Sequence, residues 1–113
     1  MREDRLKLIK IMSELTNYFF KFDTNNISIE IDQKDDISEM IIKGSPKDYD
    51  LEELEFIKER LNRPRRKELE EYYWNLVGNG DSSQRLNLVS NLVDSSDIKY
   101  KDGVLEIKLI RKH

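Results

Sequence analysis

The sequence predicts a two-layer α+β sandwich, with helices covering one face of a four-stranded, largely antiparallel sheet that also admits a mixed arrangement. Three observations carry this. Two pairs of alternating apolar–polar segments, at 27–43 and 98–110, are each preceded by a segment with helical periodicity. The second pair is joined by Asp102-Gly103, the strongest short-range hairpin signal, because both residues of a tight primed turn need positive φ. The element order reads α-β-β-α-α-α-β-β over 113 residues, a length expected to form a single domain, 1–113.

Each element has a local cause. Residues 3–22 read as a helix because Leu8, Met12, Leu15, Phe19 and Phe22 form one stripe, broadened by Ile9, Ile11 and Tyr18. Asn25-Asn26 stops it. Ile27, Ile29 and Ile31 alternate with Ser28, Glu30 and Asp32, which predicts a strand with one buried face. Gln33 to Asp36 turns the chain into a second strand, Ile37 to Lys43. Its consecutive Met40-Ile41-Ile42 predict a central strand with both faces covered, and Gly44-Ser45-Pro46 breaks it.

Asp50 to Glu53 is a capping box whose acids favour the positive end of a helix dipole. Leu51, Leu54, Ile57 and Leu61 carry that helix to Asn62. Pro64 either kinks it or opens a further helix, on which Leu69, Tyr73, Leu76 and Val77 share a stripe. Gly78-Asn79-Gly80 ends that helix in a left-handed cap. Asp81, with Gln84 three residues on, caps the last helix, whose stripe is Leu86, Val89, Leu92 and Val93. Asp94 to Asp97 is a polar break. The closing hairpin places Leu105, Ile107 and Leu109 on one face, with Glu106 and Lys108 on the other.

Composition narrows the function. The net charge is −3, from 23 acidic and 20 basic residues, which argues against nucleic acid or an anionic membrane surface as a partner. The chain contains no cysteine, and its one histidine, His113, is the last residue. Ser–His and Cys–His nucleophilic pairs inside the fold, thiolate or His/Cys metal sites and disulfides are therefore excluded. No apolar run reaches the roughly 20 residues of a membrane span, and the N-terminus has no signal-peptide core. A cytoplasmic location is expected, for a free protein or for a domain of a longer one.

Three clusters remain as candidates. Arg60, Arg63, Arg65, Arg66 and Lys67 form the densest local charge; they suit phosphate or an acidic partner, or a solvated helix junction offset by Glu68, Glu70 and Glu71. Tyr72, Tyr73 and Trp74 cannot all face one side of a helix, so one is an interface anchor unless the helix is buried nearly all round. Gly78-Asn79-Gly80 before a helix suits an anion or a plain cap; a P-loop is absent, since no Lys-Ser/Thr follows.

A helix carrying an Asn, a hairpin, a variable helical region, a Gly-containing loop, a helix and a closing hairpin resemble the ATPase domain shared by sensor histidine kinases and anti-sigma-factor serine kinases, the GHKL superfamily. Leu86 to Asp94, with the following hairpin and the basic end at Lys112, is similar to that family's last helix and strands. Leu15-Thr16-Asn17-Tyr18-Phe19-Phe20 is similar to its N-box, and the resemblance makes Asn17 the ligand of the magnesium ion of Mg-ATP. By the same resemblance Gly44 falls near adenine, and Gly78 and Gly80 near the phosphates. The family's Asp-x-Gly motif is replaced by Ile42-Lys43-Gly44-Ser45, without the Asp, and Arg85 and Asn87 stand where its second glycine box has small residues.

The resemblance therefore implies a degenerate member of the superfamily: a cytoplasmic signal-transduction regulator of bacterial type that works through protein partners, a homodimer among them. Arg63, Arg65, Arg66, Lys67, Tyr72 and Trp74 are the expected contact residues. No catalytic residue and no cofactor is expected, and Mg-ATP enters only if the site is intact. The alternatives are a functional ATP-binding domain of that fold and an unrelated small α+β interaction domain. An intact site predicts a cleft beside Asn17 and the start of the last helix with a carboxylate at its floor. A degenerate one predicts that space taken by Tyr18, Phe22 or Arg85. An unrelated domain predicts hairpins that do not join in one sheet.

Overall fold

The structure, a computed structural model, describes residues 2–69 and 82–113. Helix α1 (Arg2–Lys21) buries Leu8, Ile11, Leu15, Tyr18 and Phe19 at helical spacing. Ile9, expected to broaden that stripe, instead points outward with Leu6 and Phe20. The helix ends where Asp23 takes a positive φ of 50° and the Thr24 hydroxyl donates to the Phe19 carbonyl at 2.8 Å. A buried carbonyl of the last turn, which also accepts from the Phe22 amide at 3.0 Å, thereby gains a side-chain donor.

Strands β1 (Ile27–Gln33), β2 (Ile37–Gly44), β3 (Ser95–Lys101) and β4 (Val104–Lys112) form one antiparallel sheet in the order β1-β2-β4-β3. The two hairpins are joined through β2 and β4, with Ile42 opposite Ile107 and Met40 opposite Leu109. Asp102 and Gly103 take φ of 53° and 80°, the geometry that the Asp-Gly signal requires. Met40, Ile42, Leu105, Ile107 and Leu109 face the helices and are buried.

Among the described residues only one sheet face is covered. β2 is central, as Met40-Ile41-Ile42 predicts, but Ile41 lies half-exposed on the outer face between Glu30 and Lys108, so the expectation of two covered faces is corrected. Among the described residues a single layer of helices leaves nothing to bury that residue. β1 is corrected too. Ile27, Ile29 and Ile31 share the inner face with Gly44, Ile42 and Met40, but β1 is an edge strand, and Ile29 and Ile31 remain about two-fifths exposed.

Helix α2 (Leu51–Leu61) buries Leu54, Ile57 and Leu61, while Leu51 falls outside the stripe and is exposed. The capping box is half-made: Asp50 accepts from the Glu53 amide at 2.8 Å, but the Glu53 carboxylate turns to the Tyr18 hydroxyl. After Asn62 the chain does not open an α-helix at Pro64; a single 3-10 turn follows at Lys67–Leu69. The rest of the predicted helix, with Tyr73, Leu76 and Val77, lies outside the described residues, as does the cap at Asp81. Helix α3 (Ser82–Leu92) buries Leu86, Leu88, Val89 and Leu92. β3 starts at Ser95, inside the predicted polar break, because the Ser96 hydroxyl is held by the Leu61 carbonyl at 3.1 Å and Asn62 Oδ1 at 3.0 Å. Among the described residues no helix is long and apolar enough to cross a membrane.

Candidate functional site

Helix α1 has a second face beside its core stripe. Residues 14, 17, 18 and 21 recur at three-to-four spacing, which sets Glu14, Asn17, Tyr18 and Lys21 in one row. The row faces Arg85 and Leu86 in the first turns of α3. These six side chains line a cleft of about 260 Å³. The cleft lies beside Asn17 and the start of the last helix.

Its most unusual group is Glu14. The side chain is 2 % exposed, and a buried carboxylate is costly unless it is paired. Lys10 supplies a contact of 2.8 Å to Oε1 from one turn earlier, and Arg85 Nε lies 3.7 Å from Oε2. Oε2 itself accepts no hydrogen bond among the described residues. The cleft thus has a carboxylate in its wall, and Tyr18 and Arg85 are also part of that wall. Phe22 takes no part in the lining and packs against Tyr18 and Tyr49, with ring centroids 5.3 and 5.1 Å away.

Tyr18 links the cleft to the core. Its hydroxyl donates to Glu53 Oε1 at 2.9 Å, which commits its only proton, so the Tyr49 hydroxyl donates to Tyr18 across 2.7 Å. Burial, then the Tyr49 bond and the Glu53 charge, push the Tyr18 hydroxyl far above the ordinary tyrosine value. Tyr49 is pushed up to about 12, mainly by burial. The sign follows directly. Folded values above the unfolded value near 10 give a contribution that is complete below pH 10 and lost as pH rises beyond it. Replacing Tyr18 by Phe removes the acceptor of Tyr49 and the donor to Glu53. We expect a loss of about 1–2 kcal/mol at pH 7 and a shallower fall of stability above pH 10 than in the parent chain, measured by thermal unfolding across pH 7–11.

The other sequence-predicted residues are dispersed. Gly44 is not in the cleft wall. It lies on the core side of α1, where a Cβ would fall 2.8 Å from Phe19 Cδ1 and Thr24 Cγ2. Asn17 and Phe19 point about 200° apart around the helix, so one ligand cannot meet both Asn17 and Gly44 from the same side of α1. Gly78, Gly80, Tyr72 and Trp74 lie outside the described residues.

Two arginines of the basic cluster are engaged within the fold through their side chains. Arg63 donates to Glu59 Oε1 at 3.0 and 3.1 Å and to Asn87 at 3.3 Å. Arg65, with its side chain 9 % exposed, pairs with Asp94 at 2.9 Å and donates to the Lys112 carbonyl at 3.1 Å. The Arg66 amide donates to Asn91 Oδ1 at 3.1 Å, and Lys67 opens the 3-10 turn. Arg63 and Arg66, with Pro64 and Leu69, line a second cleft of about 320 Å³ against Asn87, Ser90 and Asn91 of α3.

Sequence reasoning passed over Glu14 and Lys21 in the first cleft. The signal was a polar row at residues 14, 17 and 21 in a helix otherwise assigned to the core, one turn after Lys10. Comparison with protein-family models, curated proteins and solved structures gives no match to this chain.

Proposed function

We propose that this chain is a cytoplasmic signalling or regulatory module that acts through protein–protein contacts, resembling a kinase-type ATPase domain whose nucleotide motifs are eroded. The observation that carries the reading is the state of the cleft beside Asn17. Its buried carboxylate is met by Lys10 and approached by Arg85, its tyrosine hydroxyl is committed to Glu53, and Gly44 is spent on packing Phe19. The described residues therefore fit Mg-ATP poorly: Asn17 and the cations are at hand, but among the described residues no adenine reader stands beside them.

The alternative, a working nucleotide site, has one observation in its favour, namely a carboxylate in the wall of a cleft that also presents Asn17, Lys21 and Arg85. Thermal-shift titration with ATP and ADP, with and without Mg²⁺, separates the two. A ligand at 100 times its dissociation constant stabilises a fold by about 2.7 kcal/mol. In a domain of this size that is a rise of roughly 10 °C. We expect no shift at millimolar nucleotide in the parent chain or in Asn17→Ala. A magnesium-dependent rise that Asn17→Ala abolishes would replace the interaction reading with the nucleotide one.

A further inference from the structure

We infer that the free edge of β1, together with the outward apolar face of α1, is a docking site for an extended protein segment whose residues alternate apolar and basic, added to the sheet as a fifth strand. The inference rests on the interaction role proposed above and names its partner's chemistry.

The two sheet edges differ. β3 has the end of α2 against the helix-facing side of its start, through the Ser96 hydroxyl on the Leu61 carbonyl and Asn62, and it carries Asp97, Lys99 and Lys101. Charges and cover of this kind are how proteins blunt an edge. β1, Ile-Ser-Ile-Glu-Ile-Asp-Gln, has no lysine and no proline, and among the described residues no strand lies beyond it. Alternate residues of an edge strand leave their N–H and C=O groups without a ladder partner, which is the template for strand addition.

The inner face of this edge is apolar and open. Ile29 and Ile31 are 39 % and 42 % exposed. Leu6, Ile9 and Phe20 lie on one outward face of α1 and are 46–58 % exposed. The Arg5 to Gln33 hydrogen bond of 3.1 Å ties the start of α1 to the end of β1, and Ile9 stands one turn on from Arg5 on that side of the helix. An added strand with apolar residues on its inner face would cover Ile29 and Ile31 and meet Ile9.

The outer face selects the charge. Glu30 and Asp32 alternate with the isoleucines, and with Glu39 they line one shallow hollow on the uncovered side of the sheet, where Lys34 stands 4.0 Å from Asp32 and Lys108 3.7 Å from Glu39. Facing cross-strand residues of opposite charge attract, and like charges repel. A second copy pairing β1 with β1 antiparallel about Ile31 would set Glu30 opposite Asp32, and about Glu30 would set Glu30 opposite itself. Self-pairing in either of these registers is thus disfavoured, and a strand bearing Lys or Arg at its outward positions is favoured.

The test uses a seven-residue peptide alternating valine and lysine, an acidic counterpart alternating valine and glutamate, and the full chain with assigned backbone amide resonances. We expect saturable binding of the basic peptide alone, with perturbed amides confined to β1 and α1. Glu30→Lys with Asp32→Lys, both exposed, is expected to weaken the basic peptide about tenfold and to admit the acidic one. The inference is overturned by absence of saturable binding at millimolar basic peptide, by perturbations centred elsewhere, by indifference to the double reversal, or by a β1-dependent homodimer in sedimentation. Mg-ATP is titrated into the same samples. If neither peptide nor nucleotide binds, the β1 site falls and the interaction role stands. If nucleotide binds with magnesium, the role itself falls, whatever the peptide does.

Discussion

Gly44→Ala is expected to destabilise the fold by about 2–3 kcal/mol, although the added group is one methyl. The cause is proximity rather than backbone conformation, since Gly103 is the one described glycine with positive φ. A Cβ at residue 44 would sit 2.8 Å from Phe19 Cδ1, 2.9 Å from Phe19 Cε1 and 2.8 Å from Thr24 Cγ2. Carbon atoms pack at about 3.5–4.0 Å, so one partner must retreat by several tenths of an ångström. Neither retreats easily. Phe19 is fully buried, and Thr24 is held to the Phe19 carbonyl at 2.8 Å. The methyl therefore pushes the end of α1 off the sheet. Against this, alanine in a strand recovers roughly 0.5–1 kcal/mol of glycine's chain entropy, which is included in the estimate. Urea unfolding should show a lower midpoint with an unchanged slope. Phe19→Leu in the Gly44→Ala background should cost less than the sum of the two single changes, because a smaller side chain makes room for the methyl. Additive costs would mean that the clash is not with the Phe19 ring.

That glycine also marks where sequence reasoning reaches its limit. Alternation identified the inner face of β4 residue by residue, because a period of two leaves no choice once one face is apolar. Asp102-Gly103 identified the turn for an equally local reason, as only such residues accept two positive φ values cheaply. The exposed state of Ile29 and Ile31 is not local. It depends on β1 being last in the sheet, and strand order is decided by the pairing of β2 with β4, more than sixty residues away. Likewise Gly44 reads as a breaker or a ligand contact in sequence, and only the approach of Phe19 makes it a packing residue. The first cleft was half legible. Asn17 and Arg85 stood out, but Glu14 resembles any helix-surface acid until Lys10 and α3 close over it.

Arg111→Met should cost about 2–4 kcal/mol, lower the melting temperature by roughly 10 °C and change how the protein responds to acid. The alternation that buries Leu105, Ile107 and Leu109 puts Arg111 on the same inner face, where it is 4 % exposed. It is tolerated because its guanidinium is bonded at two ends. Nη1 donates to the carbonyl of Leu92 at 2.8 Å, at the negative end of the α3 dipole, and Nη2 donates to Asp4 Oδ1 at 2.9 Å in the first turn of α1. One side chain thus fastens β4 to both helices. Methionine keeps an unbranched apolar stem and removes both donors, leaving the Leu92 carbonyl and the Asp4 carboxylate to find water or remain unmet. Burial alone would raise the Asp4 carboxyl, but the hydrogen bond and charge of Arg111 outweigh it and hold the group below its ordinary value of 3.8. A depressed folded value gives stability that is complete above the unfolded value and lost as pH falls below about 4 through the folded one. The parent chain should therefore lose this contribution as pH falls below about 4, and Arg111→Met should not, because it no longer has it. Asp4→Asn supplies the control: it keeps the Leu92 bond, removes the titrating group, and should lose less stability at pH 7 than Arg111→Met while sharing its flatter acid limb. Thermal unfolding of the three chains from pH 2.5 to 7 decides the matter, and an acid limb that survives in Arg111→Met would place its origin in other carboxylates.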